Sequence, residues 1–298
     1  MDFTTSTFSA LISTLKDSGY SLMPFESYIS MQPDNAVILR HDVDRRPGKS
    51  LKTAEIENRL GVRGTYYFRA HPDSFDISVI RQIAGLGHEI GYHYEDLTDA
   101  VKKTKDKRQK RFKPGIRNEE ELVKIALDSF RGNLNMIRQI VPVKTICMHG
   151  SPLSKWDSRL LWKYYDYRDL GIVAEPYFDV NLDNLLYLTD TGRRWDGDSV
   201  SIRDKGLVAR EGYYNNWKVK PVTGSALSMT SMGAALRSRH LYRSTYDIKH
   251  ALDCKAMPSR LMITLHPQRW SGSFPEWIAE FLGQNMKNQV KYFMIKSK

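Results

Sequence analysis

The chain carries only two cysteines in 298 residues, Cys147 and Cys254. So few exclude a disulfide framework. Cys147 lies inside an apolar run and reads as a core residue. No stretch approaches the roughly 20 consecutive apolar residues that a membrane-crossing helix needs. The opening Met1 to Thr7 has neither the basic nor the apolar part of a secretory leader, so a cytoplasmic location is expected. Internal repeats are lacking. Acidic residues are the minority, 34 against 45 Lys and Arg, for a net charge of +11. Much of that excess sits in one run that contains Lys102, Lys103, Lys105, Lys107, Arg108, Lys110, Arg111 and Lys113. The run reads as a solvated loop. Nucleic acid is the obvious partner for such charge, but no aromatic interleaving or known module accompanies it. An anionic glycan or nucleotide-linked sugar suits it equally.

What is present is a set of short apolar runs that end in polar residues. A hydrophobic share of 41% and a charged share of 27% fit a globular protein. An opening helix is expected over about 5–18, with Phe8, Leu11, Ile12 and Leu15 at helical spacing and Gly19 as its stop. β-like runs follow at 36–40, 64–68, 89–92, 144–148, 171–174, 185–188 and 261–265, with a last candidate at 291–295. Helices fit between them at about 49–60, 77–86, 118–140, 244–255 and 276–282. Asn118 with Glu121 three residues on is a capping-box pattern. Alternation of strands and helices predicts right-handed βαβ units on a parallel sheet. The expected fold is a distorted (β/α)7–8 barrel, with an open doubly wound sheet as its competitor. One domain over 1–298 is expected. Its N-terminal helix occupies 1–20, and an elaboration at about 189–242 lies over the mouth.

Four strand ends carry metal-site chemistry. The first runs into His41-Asp42-Val43-Asp44. Side chains alternate along a strand, so Asp42 and Asp44 share one side and His41 takes the other. Two carboxylates side by side call for a cation between them, a divalent metal first and a nearby Arg45, Arg46 or Arg40 as the lesser remedy. The other ends carry His93, His149 and His266. In parallel barrels such ends converge on one face. His41, His88 and Glu89 are expected to be structural. His71, His240 and His250 are given no role. Arg69 ends the second strand and is a candidate substrate contact. Arg193, Arg194 and Trp195 could hold a sugar by charge and stacking, although packing serves Trp195 equally well.

These segments resemble the polysaccharide deacetylase (NodB-homology) superfamily. His41-Asp42-Val43-Asp44 is similar to its first motif, in which one aspartate is the catalytic base and the other binds metal. The segment from Gly87 to His93 is similar to its Gly-His-Glu-Ile-Gly-x-His segment, whose last histidine binds metal. Leu265-His266-Pro267 is similar to its closing motif, whose histidine is the general acid. The resemblance covers roughly residues 36–150 and 260–270. It implies a zinc-dependent N-deacetylase acting on an amino sugar or glycan, with Asp42 as base and His266 as acid. Asp44 and His93 would bind metal. The usual second histidine, four residues after the first, is replaced by Leu97. His149 is the substitute ligand, and Glu95 the fallback. Two rival readings stand beside it: a nucleotide-sugar glycosyltransferase using Asp42 and Asp44 with Mg²⁺ or Mn²⁺, and an inactive glycan-binding relative.

Overall fold

The computed structural model describes residues 1–104, 118–150, 156–181, 185–195, 214–222 and 242–296, the last few of these by backbone alone. Residues 105–113 of the basic run and most of the expected elaboration lie outside the described residues. In chain order the principal elements are α1 (Thr5–Asp17), β1 (Ser21–Met23), α2 (Phe25–Met31), β2 (Ala36–Val43), α3 (Pro47–Arg59), β3 (Thr65–Phe68) and α4 (Ile77–Gly85). Next come β4 (Glu89–Tyr94), α5 (Asp96–Thr104), α6 (Glu119–Arg138), β5 (Ile146–Met148), and the short α7 (Leu161–Tyr164) and α8 (Pro176–Asp179). The chain closes with β6 (Leu186–Thr189), α9 (Thr245–Asp253), β7 (Arg260–Leu265) and α10 (Phe274–Lys296).

All strand pairs are parallel. The order along the sheet is β5-β4-β3-β2-β7-β6, and β1 joins at β2. The sheet curls into a half-barrel. Strands β5 and β6 are its edges, and no pairing between them closes it among the described residues. One edge of β2 is shared by two partners. Strand β1 pairs its first half, Ala36–Ile38, and β3 its second, Arg40–Val43. The other edge pairs β7 from Ala36 to His41. All eight residues of β2 are buried, as a strand covered on both faces requires.

The alternation along β2 sorts the core. Val37 and Leu39 pack with Phe8, Leu11 and Ile12 of α1, outside the curl. Ala36 and Ile38 pack with Tyr67, Cys147 and Met262 inside it. The inner side therefore also takes Arg40, Asp42 and Asp44. Helix α1 starts on a Thr4 side chain that accepts from Thr7 N, and it ends before Gly19 at φ +85°. Helix α6 starts on Asn118, which accepts from Glu121 N. Ser244 and Asp247 form a full capping box on α9.

Several expectations need correction. Ile125 is 40% exposed and not on the inner face of α6, where Leu122, Phe130, Leu134 and Ile137 sit. Residues 171–174 make one isolated bridge, Thr145 to Ala174, and no strand. Residues 291–295 continue α10 and add no last strand. β1, α2 and α5 were not anticipated: the three residues of β1 and seven of α2 are too short to show a period, and α5 takes Lys102 and Lys103 out of the expected loop. No helix among the described residues is long and apolar enough to cross a membrane.

Candidate metal centre

Because every strand runs the same way, their C-terminal ends share one end of the curl. Asp42 and Asp44 from β2, His93 from β4 and His149 after β5 meet there. His93 Nε2 lies 3.6 Å from Asp42 Oδ2 and 3.6 Å from Asp44 Oδ1. His149 Nε2 is 3.5 Å from the same Asp44 Oδ1. His266 Nε2 stands 3.8 Å from Asp44 Oδ2. All the histidines singled out at strand ends thus face one carboxylate.

The hydrogen bonds decide which ring nitrogens are bare. His93 Nδ1 is 2.9 Å from the Cys147 carbonyl, an acceptor, so Nδ1 carries the proton. Burial holds this imidazole neutral, its pKa lowered to about 4. His149 Nδ1 is 3.1 Å from Glu95 Oε2 and donates in the same way. In the neutral tautomer with Nδ1 so committed, both Nε2 atoms turn lone pairs toward Asp44 Oδ1. That oxygen is itself buried and accepts no hydrogen bond. Its twin, Oδ2, takes one from Gln268 Nε2 at 3.1 Å. Burial alone would raise the Asp44 carboxyl, while His266, His149 or His93 in the protonated form lowers it, and the balance falls below the ordinary value.

An ionised Asp44 and two neutral rings so held make three electron-pair donors, which repel unless a cation joins them. A tetrahedral zinc with bonds of about 2.0–2.1 Å sets its ligand atoms roughly 3.3 Å apart. The observed 3.5 and 3.6 Å are close to that spacing, and the three ligand atoms lie within 4.8 Å of one another. Asp44, His93 and His149 thus fit a divalent metal. Asp42, His93 and Cys147 also come within 4.8 Å. There a cation is already in place: Arg40 grips both Asp42 oxygens, at 2.8 and 2.7 Å. Burial also pushes the Cys147 thiol well up, away from the thiolate a metal needs. The first set is the better one.

The supporting partners are equally defined. Burial would raise the Asp42 carboxyl, yet Arg40 and His93 hold it well below the usual carboxylate range. Arg40 is itself buried, beside the rings of Tyr67 and Tyr177. Glu95 is no free ligand. It accepts from Arg69 Nε at 2.6 Å and from His149, and these partners overcome its burial to bring its pKa down to about 2. Arg69 also donates to the Asp44 carbonyl at 2.9 Å, so it braces the site from within. His266 Nδ1 lies 2.6 Å from Asp190 Oδ1, and its N–H donates to Asp190 Oδ2. Arg269 and Trp270 donate to the same fully buried carboxylate at 2.7 and 2.9 Å. Asp190 stays ionised, since Arg269 and His266 outweigh its desolvation. Nδ1 then holds its proton toward Asp190, and Nε2 faces the site.

The expected sugar contacts do not gather at this point. Arg193 is buried over the rings of Phe3, Trp277 and Phe281, 5.1–5.8 Å from their centroids. Trp195 is buried too and donates to Thr245 Oγ1 at 3.0 Å. Both pack the fold. Arg194 alone of that group is exposed. Sequence reasoning missed Asp190 as part of the site, left Gln268-Arg269-Trp270 evenly between sugar binding and packing, and ranked Arg40 below a metal. Arg40 had a usable signal: it precedes Asp42 by two, hence the same side of β2. Asp190 also had one, as the acid that follows the apolar run at 185–188. The chain matches no protein-family model, no curated protein and no solved structure.

Proposed function

We propose that the chain is a metal-dependent hydrolase that removes an N-acetyl or similar acyl group from an amino sugar or glycan-biosynthesis intermediate. Its fold would be of the polysaccharide deacetylase type. The observation that carries this reading is the orphaned Asp44 Oδ1 facing the Nε2 of two imidazoles whose Nδ1 atoms are held elsewhere. Asp44, His93 and His149 would hold the ion, with zinc the best match to one oxygen and two nitrogens. When bound, such a cation polarises an amide carbonyl and lowers the pKa of water.

The chain's own groups divide the proton work. Arg40 keeps Asp42 anionic, ready to accept a proton. With both oxygens gripped it is a weak base, so it accepts only as the attacking water becomes acidic. His266 presents Nε2 on the other side of Asp44, placed to hand a proton to the departing amine. Asp190 holds the Nδ1 proton and orients the ring, and the proton handed over is one that Nε2 takes up beforehand. Arg194 is retained as a contact for an anionic part of the substrate. The glycosyltransferase reading is weaker, because it needs both aspartates to share one ion and Arg40 already occupies Asp42.

The test is metal content by elemental analysis after zinc loading, followed by acetate release from soluble N-acetylglucosamine oligosaccharides. The wild type should bind one ion per chain and release acetate, and Asp44→Asn should do neither. A wild type that takes up no metal, or an Asp44→Asn variant indistinguishable from it, would sink the proposal.

A further inference from the structure

A single acid lies beneath a group of cations beside the candidate centre. Glu280, Gln284 and Lys287 recur at helical spacing on one side of α10. Glu280 and Gln284 are buried against the protein, whereas Ile278, Leu282 and Met286 turn the other way, to solvent. Glu280 accepts from Arg45 Nη2 at 3.2 Å and lies 3.6 Å from Arg46 Nη1. Those arginine side chains are 35% and 55% exposed, and Lys287 is exposed as well. The acid is thus underneath, and the cations are what solvent meets.

The neighbouring acids have partners of their own. Glu276 pairs with Lys49 at 3.3 Å, and Asp190 is held by Arg269, His266 and Trp270. Asp73 gives its carbonyl to the Arg46 N–H, while its carboxylate lies 3.5 Å from His71 Nδ1. Arg45, Arg46 and Lys287 over the one carboxylate of Glu280 leave two positive charges unmatched. Lys287 registers the excess: burial, Arg45, Arg269 and Arg46 lower its pKa although Glu280 opposes them. The same corner opens α3, where Arg46 lends no side-chain cap and the first turn holds no acid, so the helix end adds to the positive potential. A carboxylate would neutralise one charge of the two. A phosphoryl group carries about −1.5 to −2 and offers oxygens that fit arginine forks.

The corner also adjoins the groups given the chemistry. Arg45 follows Asp44 directly. Arg269, whose charge acts on Lys287, donates to Asp190 and lies 2.9 Å from His266 Nδ1. We propose that Arg45, Arg46 and Lys287 form a phosphoryl-binding subsite, so that the substrate is an N-acylated amino sugar with a phosphate or diphosphate beside its acyl group. The C2 nitrogen and C1 oxygen of one hexosamine have that adjacency. The acyl part rests on the hydrolase reading, and the phosphoryl part is open to a binding test by itself. Nucleotide-linked and lipid-linked sugars both present such a group.

Isothermal titration of the zinc-loaded protein compares N-acetylglucosamine with its 1-phosphate, its UDP conjugate and its farnesyl diphosphate conjugate. The wild type should bind at least one phosphorylated sugar about ten-fold more tightly than the free sugar, or better, and lose that preference in high salt. The tightest of the three identifies the source of the phosphoryl group. Arg46→Ser/Lys287→Ser should reduce the preference to about two-fold or less, with zinc content and melting temperature unchanged. Lys287→Ser alone, which leaves the Glu280 pairs intact, should weaken it by roughly three-fold. No preference in the wild type would overturn the proposal. So would a preference that survives in the double variant, because the phosphate would then sit on the metal. Acetate release separates the two readings: hydrolysis without the preference removes this subsite alone, whereas the preference without hydrolysis of any of the sugars keeps the subsite and removes the hydrolase.

Discussion

Strand β2 puts histidine–carboxylate clusters on both of its sides, and the two have opposite characters. Outside the curl, His41 stacks on Tyr66 at 4.1 Å and Glu57 lies between His41 and His88. His88 accepts from Gly64 N at Nδ1 and faces the Ala54 carbonyl with Nε2, so backbone groups occupy both ring nitrogens. Tyr66 donates to Glu57 at 2.8 Å. His41 Nδ1 faces the Thr65 carbonyl at 3.2 Å. His41 Nε2 and Glu57 Oε1 lie 3.0 Å apart, poorly aligned for a hydrogen bond, and neither atom makes one. Inside the curl, the Nε2 atoms of both His93 and His149 turn to one carboxylate oxygen, Asp44 Oδ1, while each Nδ1 is held by a carbonyl or another acid. Histidine and carboxylate in contact therefore do not by themselves make a metal site. A site needs two such nitrogens on one oxygen, and in the outer cluster backbone groups occupy both nitrogens of His88.

Paired substitutions break this comparison most sharply. His93→Ala should lose its metal and its acetate release while staying folded. His41→Ala should keep metal but unfold more easily by about 2–5 kcal/mol, because it leaves a cavity where a fully buried ring packs on Tyr66 and Phe8. Equal metal loss in both variants, read by elemental analysis beside urea titration, would erase the distinction. Next in size is His266→Ala, expected to slow hydrolysis by about 10²–10⁴-fold with zinc retained. A variant that lost zinc instead would make His266 a ligand. Glu95→Gln should weaken zinc by about 10–100-fold in a chelator competition, since Glu95 only orients His149. A complete loss would make Glu95 itself a ligand.

The smallest effect concerns a third buried acid. Asp96 accepts from Tyr92, Ser129 and Asn133, all neutral donors. Without a cation beside it, desolvation raises its pKa to about 6. A carboxyl held protonated in the fold contributes stability below its ordinary value near 4 and loses it as pH climbs through about 6. Relative to Asp96→Asn, the wild type should lose on the order of 1–3 kcal/mol between pH 4.5 and 7.5. A difference that stays flat across that window in urea unfolding would show that Asp96 is ionised throughout.

The strand ends were legible because two local signals coincide there: a buried apolar run and an abrupt polar stop. That grammar located Asp42, Asp44, His93, His149 and His266 in space. It could not rank their partners. Asp190 reaches His266 across 76 positions of sequence, and nothing near either residue announces the pairing. Arg193 and Trp195 looked like a sugar platform because arginine and tryptophan serve packing and binding with the same chemistry. Helix α10 was hardest to read. Its amphipathic pattern is real but inverted, and the Tyr292-Phe293-Met294-Ile295 run imitates a strand. Periodicity reports that two faces differ, not which of them meets the protein.

The forked edge of β2 has a consequence for how the sequence can vary. Its β1 and β3 partners pin separate halves of one eight-residue segment, and β7 pins the opposite edge. Displacing that segment by a single position would carry His41 into the chamber and drive both aspartates under α1 and α3. Core formation and chemistry thus read the same frame, and an insertion or deletion there would corrupt both at once.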